Sequence, residues 1–253
     1  MKHFKKILSL TYYHMRSRYR KTLAGVVWVI ANPIINFSVQ ALVFKTILKI
    51  NIDNYPIFLL SGLLPWFFIS QSITNLSGSL VSSRELLLGF KLNPLIIIAC
   101  QVLDNFFNYL LATIILFILL SITGLVSLSP FQILLFIVDS ALLLPFVFFA
   151  TALVSFLHVF YRDVQFVASF VMNLAFFLTP IFYTIGYVDP QYQWIFNFNI
   201  FYPIVNLFQT SLHNFNIQAW ANNIFICMLI ILSLGGVLYF FIKKKMKDFY
   251  INV

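Results

Sequence analysis

Residues 18–33 read RYRKTLAGVVWVIANP. Three charges crowd into Arg18, Arg20 and Lys21, and an apolar run follows at once, carrying Asn32 and Pro33 inside it. The run extends over 23–44, which at about 1.5 Å per residue is long enough to cross a hydrocarbon layer of about 30 Å. It is too long for the core of a secretory signal, and no small-residue cleavage site follows it, so it is read as a helix of the mature chain.

The rest of the chain agrees. Of 253 residues, 61% are hydrophobic and only 9% charged, against about 25% charged in soluble domains. Most of the surface therefore faces something other than water, and the reading is an all-α, polytopic membrane protein. Cys100 and Cys227 both sit in apolar runs with neither metal-binding nor redox spacing, and are read as small apolar residues.

Segments able to span fall at 23–44, 55–78, 95–120, 131–160, 164–182 and 219–242, about six in all. With both termini inside, Lys2, Lys5, Lys6, Arg16, Arg18, Arg20, Lys21, Arg84, Lys91, Arg162, Lys243, Lys244, Lys245 and Lys247 are internal, 14 of the 16 basic residues. Only Lys45 and Lys49 are left outside, an asymmetry that fixes the orientation by the positive-inside rule. The net charge of +9 is then a topology signal and a contact with anionic lipid rather than a nucleic-acid footprint.

The N-terminal segment has its own pattern. Phe4, Ile7, Leu8, Thr11, Tyr12, Met15 and Tyr19 recur at helical spacing, while Lys2, Lys5, Lys6, Ser9, Tyr13, Arg16 and Arg20 gather opposite. Such a helix lies in the membrane interface. Arg18, Arg20 and Lys21 mark the inner lipid boundary where it turns into the first span, or serve as a topology anchor alone.

Polar side chains seldom face lipid tails, because an unpaired amide there costs several kcal/mol. Asn32, Asn36 and Gln40 stand at i, i+4 and i+8 and form one stripe, either the wall of a watery path or amide glue between helices. Pro33 beside it removes a backbone hydrogen bond and allows a kink. Gln71 and Asn75 make the second span polar toward its inner end. Beyond them Arg84, Glu85, Leu86 and Leu87 precede Lys91 and Pro94, a short cytoplasmic helix able to dock a soluble partner, or a plain solvated loop. Gln101, Asp104, Asn105 and Asn108 repeat a one-face pattern in the third span. Asp104 and Asp139 fall about 14 Å deep, where each must be paired, protonated or wet, as a functional or a structural group.

The outer connection, 183–218, holds one acidic residue, Asp189, no basic one, and a density of aromatics unsuited to a loop in water. It is expected at the interface or dipping into the membrane as short helices, with Pro190 and Pro203 in their first turns. Aromatics form 19% of the chain. They suit a path for sugars, whose C–H faces stack on rings, although an A/T-rich genome inflates the same residues. No phosphate-binding loop, zinc-protease motif or Ser/His/Asp arrangement occurs, which weakens an enzymatic reading.

Taken in order and at their separations, RYRKTLAGVVWVIANP, YPIFLLSGLLPWFFISQSI, FYRDVQFV and FFLTPIFY resemble the polysaccharide-export permeases of ABC transporters, which move O-antigen, capsule or teichoic acid chains. The resemblance covers most of the chain and implies one permease domain over 1–253. It implies an interface helix within 1–22, six spans, a coupling helix within 84–94 and re-entrant outer gate helices within 183–218. It further implies a homodimer in the inner membrane of a bacterium, working with two copies of a separate ATPase that carries the ATP and Mg2+. This chain would need no cofactor or metal of its own.

The channel is then assigned to the first, second and fifth spans, with Asn32, Asn36, Gln40, Gln71, Asn75, Phe166, Phe170 and Asn173 as its lining. Arg84, Glu85, Leu86, Leu87, Arg162 and Asp163 become docking residues for the ATPase. Phe4, Ile7, Leu8, Tyr12, Met15, Arg18 and Arg20 fall on the interface helix, and Tyr187, Tyr192, Trp194, Phe198, Tyr202 and Phe208 on the outer gate. The chain departs from the family pattern where an Asn-Pro and a following Arg of the second gate helix become Asn199-Ile200 and Gln209. A type-2 ABC permease for a lipid, drug or small glycolipid is the nearest alternative. A membrane enzyme on a lipid-linked substrate is the alternative from another class.

Overall fold

The computed structural model describes residue 11 and residues 25–90, 92–126 and 129–252, and every regular element among them is helical. Helix α1, Gly25–Ala41, passes through Pro33 without ending and loosens only at Leu42–Ile47, a π turn closed by the Leu48 N–H on the Val43 carbonyl at 2.9 Å. Helix α2, Tyr55–Leu76, starts after Asn54, which holds a left-handed φ of 47°, and has Pro56 in its first turn. Proline fits there because the first N–H groups of a helix have no intrahelical partner. Two short helices follow, α3 (Ser79–Ser82) and α4 (Arg84–Phe90).

Helix α5, Pro94–Ile122, opens with Pro94 behind Asn93, whose side chain accepts from the Leu95 N–H at 3.0 Å. Helix α6, Pro130–Phe160, opens with Ser129 and Gln132 satisfying each other's backbone N–H groups, the reciprocal cap of a Ser-x-x-Gln start. Helix α7 is Val164–Leu178, α8 is Trp194–Phe198, α9 is Tyr202–Leu212 and α10 is Ile217–Asn252.

Among the described residues four helices are long and apolar enough to span a membrane: α2, α5, α6 and the portion Ile217–Met246 of α10. The other two expected spans are shorter. Helix α1 has 17 residues before its π turn, and α7 has 15. The fifth expected segment, 164–182, loses its last four residues to non-helical chain, because Pro180 disfavours helical backbone at Thr179, which sits at ψ 129°. Conversely α10 outruns its apolar stretch. Its helix continues past Ile242 through the lysine-rich tail to Asn252, since lysine is a good helix former.

The core is built around α2, which packs against α1, α5, α6, α7 and α9. Helix α10 runs along α6 and touches α9. Gly62 in α2 permits the close approach to α9: a Cβ there would lie 2.9 Å from Gln209 Nε2 and 3.3 Å from the Ile181 carbonyl oxygen. The bundle has two distinct ends. At the cap end α9 meets the start of α6, with Gln132 Nε2 donating to the Leu212 carbonyl at 2.8 Å and the Phe131 and Phe215 rings 5.1 Å apart. At the tail end the last turns of α10 meet the end of α6 through Phe156 with Phe249 and Phe160 with Phe241.

The expected interface helix, with Phe4, Ile7, Leu8, Tyr12, Met15, Arg18 and Arg20, lies outside the described residues. Of that segment only Thr11 is described; it is buried, and its hydroxyl reaches the Cys100 carbonyl at 3.4 Å.

Candidate functional site

The polar stripe of α1 is open. Asn32 and Asn36 are exposed and Gln40 half-buried, and Asn36 Nδ2 donates to the Asn32 carbonyl one turn back at 2.8 Å. Gln71 and Asn75 are exposed on the last turns of α2, although most of that helix is enclosed. On α7 the residues Phe166, Phe170 and Asn173 follow one face at i, i+4 and i+7 and are exposed, as is Phe177 beyond them. The opposite face of α7 buries Ala168, Met172 and Ala175. Helices α1 and α7 both lean on α2, so the amides of α1 and the rings of α7 share one helix as their backing.

The tail end collects the residues expected to dock a partner. Arg84, Glu85 and Leu86 are exposed on α4, and Leu87 is fully buried, pinning that helix to the bundle. Arg162 and Asp163 are exposed in the turn between α6 and α7, where the Asp163 carbonyl accepts from Phe166 and Val167 and starts α7. The elements that carry them are linked through α3 and the end of α2. The short helix α3 packs on both α5 and α6, and Ser155 Oγ donates to the Leu76 carbonyl at 2.7 Å. Nearby, Lys245 lies 5.8 Å from the Phe160 ring centroid.

The cap end is held by side chains bonded to backbone. The Tyr187 hydroxyl donates to the Asn51 carbonyl at 2.9 Å and accepts from the Asn51 N–H at 3.1 Å. Asn199 Nδ2 donates to Thr179 Oγ1 at 2.9 Å, and Gln209 Nε2 donates to the Pro180 carbonyl at 2.9 Å. His213 Nε2 pairs with the Asp53 carbonyl. The cap is therefore tied both to the chain leaving α7 and to the loop that follows α1. Burial raises the Tyr183 phenol above its ordinary range, so it stays protonated and donates to the Phe177 carbonyl at 3.1 Å.

Of the residues expected at the gate, Tyr187, Tyr192, Trp194 and Phe198 are exposed and Tyr202 is half-buried. Phe208 is in the core, its ring edge-on to Phe136 at 5.8 Å.

Asp139 has a structural place here. It is fully buried on α6 and accepts from Ser211 Oγ on α9 and from Trp220 Nε1 on α10 at 2.9 Å, joining three helices at one carboxylate. Sequence reasoning left its role open. The sequence marks Asn199 and Gln209 only as departures from the family pattern and His213 only as one of four scattered histidines, with no signal for the backbone groups they hold. Among the described residues no group of His, Cys, Asp and Glu is placed to hold a metal ion. Cys100 and Cys227 are both free and buried.

Among the described residues the chain forms an all-helical bundle of membrane-length helices with an open amide and aromatic face and two unlike ends, the architecture of a multi-pass membrane protein. The chain belongs to the ABC-2 type transporter family, whose model matches residues 5–213. It is similar to the O-antigen export system permease protein RfbA of Myxococcus xanthus, with 27% identity over 185 residues, 73% of this chain and 70% of that one. It is also similar to proteins of the same name from Klebsiella pneumoniae. One is 26% identical over 198 residues, 78% of this chain and 75% of the relative. Another is 26% identical over 197 residues, with the same coverage of both chains.

Proposed function

We propose that this chain is the permease subunit of a transporter that exports a lipid-linked polysaccharide across the cytoplasmic membrane, driven by a separate ATPase. The observation that carries the reading is the pairing of family and relatives: the family model spans most of the chain, and the similar proteins are O-antigen export permeases matched over 70–75% of their own length.

In this reading α1 with its π turn and α7 complete six spans together with α2, α5, α6 and α10. The segment from Ile185 to Leu212 is the outer gate, and both termini lie inside, where the basic residues concentrate. A second copy of the chain covers the open face of α1 and α7, and the polymer passes between Asn32, Asn36, Gln40, Gln71, Asn75, Phe166, Phe170 and Asn173. Amides and rings suit that task because each offers a sugar a weak, replaceable contact, so a chain can slide without being trapped. Two ATPase copies seat on Arg84, Glu85, Leu86 and on Arg162 and Asp163, with Leu87 transmitting their motion into the bundle. An N-terminal interface helix rests on membrane lipid.

Deleting the gene and staining intact cells for surface polysaccharide tests the reading. The expected result is loss of one surface polysaccharide with its lipid-linked precursor accumulating inside, restored by the wild-type chain. Restoration should fail when the partner's ATP site is inactivated. Unchanged surface polysaccharide in the deletion strain would overturn the proposal. Replacing Arg84 and Glu85 together by Ala should reduce co-purification of the ATPase while leaving membrane insertion intact.

A further inference from the structure

A cavity of about 400 Å³ opens at the cap end, between the chain leaving α7, one face of α9 and the start of α10. Its floor is Phe58, Pro180 and Gln209, all buried, and its rim is Gly186, Asn214, Asn216 and Ala219, all exposed. Along α9 Tyr202, Asn206 and Thr210 recur at helical spacing, with His213 just past its end, forming the face of that helix least given to the core.

The chemistry of the lining narrows the occupant. No lysine, arginine or carboxylate lines the cavity, and His213 already pairs its Nε2 with the Asp53 carbonyl, so the lining offers no fixed positive charge to a phosphate or other anion. Some of its polar groups are already used. Gln209 donates to the Pro180 carbonyl, Thr210 Oγ1 to the Asn206 carbonyl, and Asn216 Oδ1 caps the first turn of α10. Among the described residues no hydrogen bond engages the side chains of Thr184, Tyr202, Asn206 or Asn214. Those groups would be stripped of water without compensation by an apolar ligand such as a lipid tail.

Two amides and two hydroxyls can give and accept hydrogen bonds together, and the Phe58, Tyr183 and Tyr202 rings supply apolar faces beside them. That combination fits a compact ligand carrying many neutral hydroxyls around a C–H face. At the lower end of the about 300 to 1,000 Å³ typical of small-ligand sites, the cavity has room for roughly one or two sugar rings.

We infer that this cavity is a binding subsite for a neutral sugar unit of the exported polymer at the outer mouth of the transporter. The inference rests on the polysaccharide reading and adds a site beside the cap, apart from the α1 and α7 face. Binding there is weak, on the order of millimolar, as expected for so small a ligand. A unit held there lets go as the polymer advances.

The test uses the full chain in lipid nanodiscs with a cysteine at the rim, Gly186→Cys or, separately, Ala219→Cys. Either position has room: a Cβ at Gly186 meets nothing closer than 3.8 Å, and Ala219 is exposed. Because Cys100 and Cys227 are buried, a membrane-impermeant maleimide reports the rim alone. The probe is the oligosaccharide mixture released by mild acid from the surface polysaccharide that the deletion strain loses. At tens of millimolar it should slow labelling at both rim positions at least threefold, while Gln191→Cys, exposed but outside the cavity, labels at an unchanged rate. Adding Asn206→Leu should abolish the protection.

Equal labelling with and without oligosaccharide at both rim positions, in a protein whose deletion removes the polysaccharide, overturns the subsite and leaves the export reading standing. Protection by glycerol phosphate but not by oligosaccharide overturns it in favour of a lipid headgroup. A deletion strain with intact polysaccharide removes the export reading and this inference together. The Gly186→Cys and Ala219→Cys proteins without Asn206→Leu decide the matter even where that variant fails to fold.

Discussion

Helices α2 and α7 are both strongly apolar and stand against each other, yet the chain treats them in opposite ways. Of the membrane-length stretch of α2, 78% is buried within the single chain, and its large side chains Leu59, Leu60, Leu63 and Ile69 have no exposed surface at all. On α7 it is the small or flexible residues Ala168, Met172 and Ala175 that are buried, while Phe166, Phe170 and Phe177 are 64 to 75% exposed. A helix that turns its smallest residues inward and its rings outward is packed closely on its backing and leaves its largest apolar area for something else. Helix α2 is finished by its own chain; α7 is finished by its surroundings.

Truncating a side chain should therefore have opposite consequences on the two helices. Leu63→Ala removes a fully enclosed side chain from α2, where neighbours on several sides cannot all collapse into the gap. A loss of about 2 to 5 kcal/mol is expected, read as a large drop in the temperature at which the detergent-solubilised protein aggregates. Wild-type thermal stability in that variant would show that α2 is not the keystone of the bundle.

Smaller, and more local, is the effect expected at the joint between α2 and the cap. Gly62→Ala places a Cβ 2.9 Å from Gln209 Nε2, whose own bond to the Pro180 carbonyl stops it from swinging aside. Overpacking of this kind costs about 1 to 3 kcal/mol. The strain falls on the cap, so limited proteolysis at the loop 213–216 should accelerate before global stability changes. Gly62→Ala with unaltered cleavage would mean that the cap yields without cost.

The contrast between the two helices was only half legible in the sequence. Length and apolarity revealed α2, α5, α6 and α10, because a span of about 20 residues is dictated by membrane thickness. Caps were readable where the residues themselves make them, as with Asn93 before Pro94 and Ser129 with Gln132. Which of two apolar helices is enclosed could not be read, because in lipid both faces of a span are apolar and periodicity loses its meaning. The 15-residue length of α7 was also hidden. Hydropathy runs on through Ile181 and Phe182, which are buried but not helical, and only Pro180 marked the end.

The site was legible by type more than by place. Asn32, Asn36, Phe166 and Phe170 are exposed on α1 and α7, as a path lining and a lipid-facing surface would both require, whereas the ring of Phe208 is enclosed, since an aromatic on an amphipathic helix reads alike on either face. Asp139 could be flagged from sequence as a costly buried group. Its partners Ser211 and Trp220 lie 72 and 81 residues away, a distance that no local pattern bridges.

The smallest effect on stability is expected on α7, and it separates the two readings of that helix. Phe170 is 64% exposed, so Phe170→Ala removes few contacts within the chain. Thermal stability should change by no more than about 0.5 kcal/mol, the range of ordinary surface substitutions. Function should not be so indifferent. If the face of α7 lines a polymer path completed by a second copy, loss of the ring lowers surface polysaccharide, and a cysteine at Phe170 or Asn173 reacts with a water-borne thiol reagent during ATP turnover. A cysteine at Ile114, exposed on α5, serves as the comparison and should stay unreactive if that surface meets lipid, because a thiol in hydrocarbon cannot ionise. Should Phe170→Ala leave both stability and export at wild-type levels, with all three cysteines protected in every state, α7 faces lipid. The rings then match the bilayer, and the path must be sought along α1 alone.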